Sequence, residues 1–218
     1  FSVSGCPLVN LDSNVINAMP NLTYISFNSL NPIKPNQLSP WKKLTSLITV
    51  IKNQTTLAKS HFTGLNSLNG LSFTRSNIKT IEVHTLLALP NVSYIDLSFN
   101  ELRSFEYLQI PPKVEMLVLA SNKMNYFRLS RTMSVIQNLN LRYNQFRSFK
   151  SMDFTFLSDL TSLDLSNNPH AYPYEIAGHM KPLVNLDSIV LSNLSISSID
   201  SNFFKYNTKL SYIILQYN

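Results

Sequence analysis

Apolar residues recur along this chain at one spacing. Val92-x-x-Ile95-x-Leu97-x-x-Asn100-x-Leu102 is followed by Val114-x-x-Leu117-x-Leu119-x-x-Asn122-x-Met124. Ile136-x-x-Leu139-x-Leu141-x-x-Asn144-x-Phe146 and Leu160-x-x-Leu163-x-Leu165-x-x-Asn168 come next. Weaker copies start at Leu22, Leu44 and Leu68 before these four and at Leu186 and Leu210 after them. Phe1-x-Val3-x-x-Cys6-x-Leu8 reads as the tail of one more. From residue 22 to residue 210, successive starts lie 22, 24, 24, 22, 22, 24, 26 and 24 residues apart. A period this short means one small unit stacked on copies of itself, since no single unit can bury its own apolar face.

Inside each unit the apolar residues alternate over a few positions, the period of a short strand with one face turned inward. The spacing predicts strands centred near residues 25, 47, 71, 95, 117, 139, 163, 189 and 213, one per coil. A single polar position interrupts the apolar pattern just after each strand. It is Asn at 100, 122, 144, 168 and 218, and Cys6 fills it once. A buried amide there is expected to satisfy backbone groups of its own and the next coil. Cys6 then reads as a buried residue of this ladder rather than a reactive thiol. Leu30, Lys52, Ser76 and Leu194 depart from the pattern, so irregular coils are expected at those places.

The pattern resembles the leucine-rich repeat, and the resemblance covers the whole chain. It implies an α/β solenoid: a leucine-rich-repeat horseshoe with a parallel β-sheet on its concave face. One domain spanning 1–218 is expected, with about nine repeats, both ends truncated, as part of a longer ectodomain. Cut ends of that kind expose core leucines. The cysteine-rich caps usual in secreted members of the family are not in the sequence. In this family, phenylalanines in the second half of each coil stack along a spine, and Phe62, Phe154 and Phe203 occupy such places here. Coils near 24 residues with such a Phe resemble the extracellular style of the repeat. Four N-x-[ST] sequons, at Asn21, Asn53, Asn91 and Asn193, fit an extracellular or luminal location and are candidate glycosylation sites. Asn21 and Asn91 fall immediately before predicted strands, on the flank of the solenoid.

Composition adds limits. The chain is 44% hydrophobic with 4 glycines, which leaves no linker-like tract. Its one cysteine cannot close an internal disulfide. No run of 18 apolar residues spans a membrane, and the first residues lack the features of a signal peptide. The net charge is +6, with 8 of the 18 Lys and Arg before residue 110 and no block of five like charges. The four histidines, His61, His84, His170 and His179, show no metal-ligand spacing. Neither a Gly-rich phosphate loop nor G-x-S-x-G occurs. Asp96 and Asp164 share a repeat position three coils apart, about 14 Å at strand spacing, too far to act on one bond. They read as solvated strand residues. No catalysis, cofactor or metal is expected.

In a solenoid each repeat position becomes a column on the surface. The outward position just before the ladder residue reads Ser29, Ile51, Arg75, Phe99, Ser121, Tyr143, Asn167, Asn193 and Tyr217. The densest group of exposed aromatics and arginines on the concave side is Arg75, Tyr94, Phe99, Met116, Val118, Arg142 and Tyr143. A second column on the flank just after the strands carries Lys79, Arg103, Asn125 and Arg147, an alternative contact surface for phosphate or sulfate groups. The longest coil, with three prolines between Asn168 and Pro182, is expected to bulge, and His170 and His179 within it could titrate in an acidic compartment. The irregular coils, the phenylalanines and the sequons resemble the ectodomain of a Toll-like receptor. That resemblance implies a protein, microbial or endogenous ligand on the concave face or flank, receptor dimerisation, and a membrane reached only through segments outside this chain. Nucleic acid is not favoured as a partner. The alternatives are a cell-adhesion or guidance receptor and a secreted matrix protein.

Overall fold

The computed structural model describes residues 11–129, 135–168, 176–199 and 201–218. Nine strands lie side by side in one parallel sheet: Tyr24–Ser29, Ser46–Ile51, Gly70–Phe73, Tyr94–Asp96, Met116–Val118, Asn138–Asn140, Ser162–Asp164, Ser188–Val190 and Tyr212–Ile214. They are numbered here as coils 1 to 9. Each contains the residue about which the repeat spacing centres a strand. Their register is unbroken, with Leu71, Ile95, Leu117, Leu139, Leu163, Ile189 and Ile213 in successive pairs. Every strand therefore turns the same repeat positions inward.

The interior is one continuous apolar cluster along the solenoid, with Leu47, Leu71, Ile95, Leu117 and Leu163 at 1% exposure or less. In coil 9 the corresponding Ile213 and the nearby Leu215 are 43% and 37% exposed. The return segments are short. Lys59–His61, Leu86–Ala88 and Phe149–Ser151 are single 3₁₀ turns, and the α-helices are only Ser13–Ala18 and Ile176–Met180 among the described residues. The longest coil is helical over Ile176–Met180. Its residues 169–175, including His170, lie outside the described ones, as does Cys6. Two smaller parallel sheets run beyond the concave strands, one of Thr56–Leu57 and Thr80–Ile81, the other of Ser104–Leu108, Tyr126–Leu129 and Met152–Asp153.

The asparagine ladder is built, but it reaches backwards. The Asn122 amide donates to the carbonyls of Leu119 and Ala120 in its own coil and Leu97 in the preceding one, while its Oδ1 accepts the Leu102 N–H at 3.0 Å. Asn144 repeats the set on Leu141, Arg142, Leu119 and Met124. The partner across the interface is the previous coil, not the next.

Where Leu30 and Lys52 stand in place of asparagine, the coil changes shape. The strands of coils 1 and 2 run on to Ser29 and Ile51, and both side chains are buried. They therefore leave the outward column in which the repeat alignment puts them. Ser76 substitutes partly, its Oγ accepting the Ile51 N–H at 2.8 Å. Gln54 supplies the missing amide from two residues beyond Lys52, accepting from Ile33 N–H and donating to Thr56 O. The phenylalanine stack also differs from expectation. Phe154 packs on Phe127, which packs on Phe105, at centroid distances of 6.3 and 6.0 Å. Phe62 instead meets Phe73 edge-on, and Phe203 meets Phe204.

Candidate binding face

The concave sheet presents three outward columns. The first runs Tyr24, Ser46, Gly70, Tyr94, Met116, Asn138, Ser162, Ser188, Tyr212, and the second includes Asp96, Val118, Asn140 and Asp164 in register. The third is set by backbone conformation. Arg75, Phe99, Ser121, Tyr143, Asn167, Asn193 and Tyr217 all take positive φ, between 50° and 60°. A left-handed non-glycine residue costs of order 1–3 kcal/mol. The cost is offset here because the turn delivers the following residue into the ladder and lets each left-handed N–H bond to the next coil: Phe99 to Ala120 O, Ser121 to Arg142 O and Tyr143 to Ser166 O. The conformation is thus a property of the scaffold, and the side chain at each place is open to vary.

That variation puts large groups on coils 3 to 6, and again on coil 9, where Tyr212 and Tyr217 are 56% and 86% exposed. Phe99 is 43% exposed, Met116 37% and Tyr143 53%. The Arg75 guanidinium lies 4.1 Å above the Phe99 ring, a cation–π contact. Arg142 leans over Tyr143 at 5.9 Å. Arg142 belongs to a column that is buried at Ser98, Ala120, Ser166 and Ser192, and it is exposed. Phe99 and Tyr143 are two coils apart, about 10 Å at strand spacing. Tyr94 and Met116 are direct neighbours, and Val118 is half-buried behind them.

Two residues read from the sequence as solvated have partners. Asp96 accepts the Tyr94 hydroxyl at 3.2 Å and the Ser98 N–H at 2.8 Å, and Asp164 accepts Ser166 N–H and hydroxyl. They close the turn after the strand, as Asn140 does for Arg142 N–H. Burial, then the charge and hydrogen bond of Asp96, push the Tyr94 hydroxyl up to about 12. Among the described residues no three His, Cys, Asp or Glu side chains are grouped to hold a metal ion.

Lys79, Arg103 and Arg147 are all exposed on the flank after the strands. The sequon residues Asn21, Asn53, Asn91 and Asn193 are exposed as well. Asn21 and Asn91 sit on the flank before the strands, and each accepts a lysine one coil on, Lys43 at 2.8 Å and Lys113 at 2.7 Å. Asn193 stands in the left-handed column of the concave face, two coils from Tyr143, and donates to Asn167 Oδ1.

Residues 51–102 match the family model described as leucine rich repeat. This match and the parallel sheet of one strand per coil make the fold a leucine-rich-repeat solenoid. Among solved structures, this leucine-rich-repeat solenoid is similar to TLR13 in its complex with ssRNA13, with a TM-score of 0.76 at 20% identity over 100% of this chain and 36% of that one. Toll in the Toll–Spatzle complex of Drosophila gives a TM-score of 0.68 at 18% identity, over 96% of this chain and 30% of that one. The functional domain of InlJ from Listeria monocytogenes, which includes a cysteine ladder, gives 0.67 at 20% identity, over 99% and 43%. A curated relative, transforming growth factor beta activator LRRC33 of Danio rerio, is 25% identical over 167 residues, 71% of this chain and 24% of its own length. The chain thus spans about a quarter of that relative and between 30% and 43% of these structures. Among the described residues no helix is long and apolar enough to cross a membrane.

Proposed function

We propose that this chain is a ligand-binding segment of the ectodomain of a cell-surface or endosomal receptor of the pattern-recognition type, and that it binds a protein partner on the concave side of coils 3 to 6. The observation that carries this reading is the patch of Arg75, Phe99, Met116 and Tyr143. It sets exposed aromatic and sulfur-bearing side chains on a rigid sheet, flanked by arginines, the composition favoured at contact hot spots. The likeness in fold to Toll and TLR13, and the relation to LRRC33, support the receptor reading. TLR13 was solved with an RNA, but here Asp96 and Asp164 stand in the middle column of the face. Their charges oppose a polyanion and favour a protein. Receptor dimerisation, and glycans on Asn21, Asn53, Asn91 and Asn193, belong to the same proposal. A glycan on Asn193 would confine contact to the coils before it.

The test is a Phe99→Ala/Tyr143→Ala chain. Both side chains are exposed, so the variant folds and is secreted like the parent. Loss of hot-spot aromatics costs about 2 kcal/mol or more, about thirtyfold in affinity for a partner captured by the parent. Equal binding by parent and variant would remove the concave patch as the site.

A further inference from the structure

The flank after the strands carries one exposed cation on each of five successive coils: Lys52, Lys79, Arg103, Lys123 and Arg147. These residues belong to neighbouring segments tied by backbone bonds, Lys79 N–H to Thr55 O, Glu101 N–H to Ile78 O, Lys123 N–H to Leu102 O and Asn125 N–H to Arg103 O. The coils that carry them advance at about 5 Å per step, over about 20 Å, with Lys79, Arg103 and Arg147 at one repeat position. Glu101 is the acid among them, and it is bridged to Lys123 at 2.9 Å. Its carboxyl is held below the usual range by the Lys123 hydrogen bond, then by the charges of Lys123, Lys79 and Arg103. Three cations thus converge on one carboxylate, and the strip stays positive overall. The opposite flank differs. There Lys113 and Lys209 alternate with Glu115, Asp159 and Asp187 and are spent on Asn91 and Asn185.

We propose that this strip is a second binding site, for a sulfated polysaccharide. Polar residues without aromatic rings, Asn77, Asn125, Thr55 and Gln145, stand beside the cations. A single-stranded nucleic acid is gripped by stacking its bases on aromatic side chains. The exposed rings of Phe99 and Tyr143 face the other way, on the concave sheet. A chain that offers regularly spaced sulfates and nothing to stack matches a line of lysines and arginines. The choice of a sulfated polysaccharide rests on the extracellular location in the function proposed above.

Heparin is the probe. Binding of the 218-residue chain to immobilised heparin is measured at about 0.1 M salt, where exposed charges are screened beyond about 10 Å. Lys79→Gln/Arg103→Gln/Arg147→Gln is compared with Lys42→Gln/Lys59→Gln/Lys205→Gln, which removes the same charge from other exposed places. The flank triple variant weakens binding about tenfold and the control triple much less, while Glu101→Gln strengthens it. Phe99→Ala/Tyr143→Ala leaves heparin binding unchanged, which separates this site from the concave one. Equal losses in the two triple variants would reduce the effect to net charge and overturn the site. So would a single-stranded RNA that displaces heparin at lower charge-equivalent concentration, since it would assign the strip to nucleic acid.

Discussion

Replacing Asn122 by alanine tests the ladder that holds the coils together. Four hydrogen bonds disappear at once. The three carbonyls involved keep other donors: Leu97 O keeps the Asn100 amide, Leu119 O keeps the Asn144 amide and Ala120 O keeps the Phe99 N–H. Each loss there costs at the low end of a net hydrogen bond, about 0.5 kcal/mol. The Leu102 N–H is different, because it is buried and Asn122 Oδ1 is its acceptor. An orphaned buried donor costs about 1–3 kcal/mol. The sum is about 3 kcal/mol. Urea unfolding followed by circular dichroism and by the fluorescence of the buried Trp41 reads it. With a slope of about 2 kcal/mol per molar urea, the midpoint falls by about 1.5 M. Asn125→Ala removes the same residue type from the exposed flank and changes stability by less than about 0.5 kcal/mol. If the two alanine variants unfold together, the ladder does not stabilise the coils in the way argued.

Leu117→Asp places a carboxylate among fully buried Ile95, Leu119 and Leu141 and destabilises by several kcal/mol, so expression as a secreted protein should yield little folded material; normal yield with parental melting temperature would contradict it. His61 is a buried side chain whose Nδ1 accepts the Ala58 N–H at 3.0 Å. Burial lowers its pKa, against a smaller raising effect of Glu82. The unfolded chain therefore binds the proton more readily. The stability His61 contributes is complete above its ordinary value of about 6.5 and is lost as pH falls from there through the lowered folded value. The melting temperature should drop between pH 7.5 and pH 5, and His61→Gln should drop less; parallel curves would refute this role.

The repeat spacing made the strands legible because burial imposes one apolar phase on every coil, and Leu71, Ile95, Leu117 and Leu139 share a register as a result. Ser29 and Ile51 were misplaced for a physical reason. In coils 1 and 2, with Leu30 and Lys52 in the ladder position, there is no left-handed turn before it, so the strand continues and its next side chain points inward. Lys52 in that position was the available signal. The compensation by Gln54 was not legible, since it acts from outside the repeat position. Phe105 and Phe127 were missed because their stack forms between segments after the ladder residue, where the repeat places other apolar residues. The outward phase of Phe99, Tyr143 and Arg75 could be read, but the contact of Arg75 on Phe99 could not. Nor could the anchoring of Tyr94 by Asp96, which needs the two side chains of one strand to lean together.

The central claim is that partners meet this chain on the concave side of coils 3 to 6. A photo-crosslinking amino acid placed at Phe99, in one preparation, and at Val83, in another, tests it directly. Both positions are exposed, at 43% and 60%, so neither substitution disturbs the core. Each preparation is irradiated in extracellular fluid from the tissue of origin and the adducts are resolved by mass spectrometry. A discrete adduct at position 99, diminished by excess parent chain and lacking at position 83, is the predicted result. Adducts at 83 with none at 99 would contradict the account and move the binding face off the concave sheet.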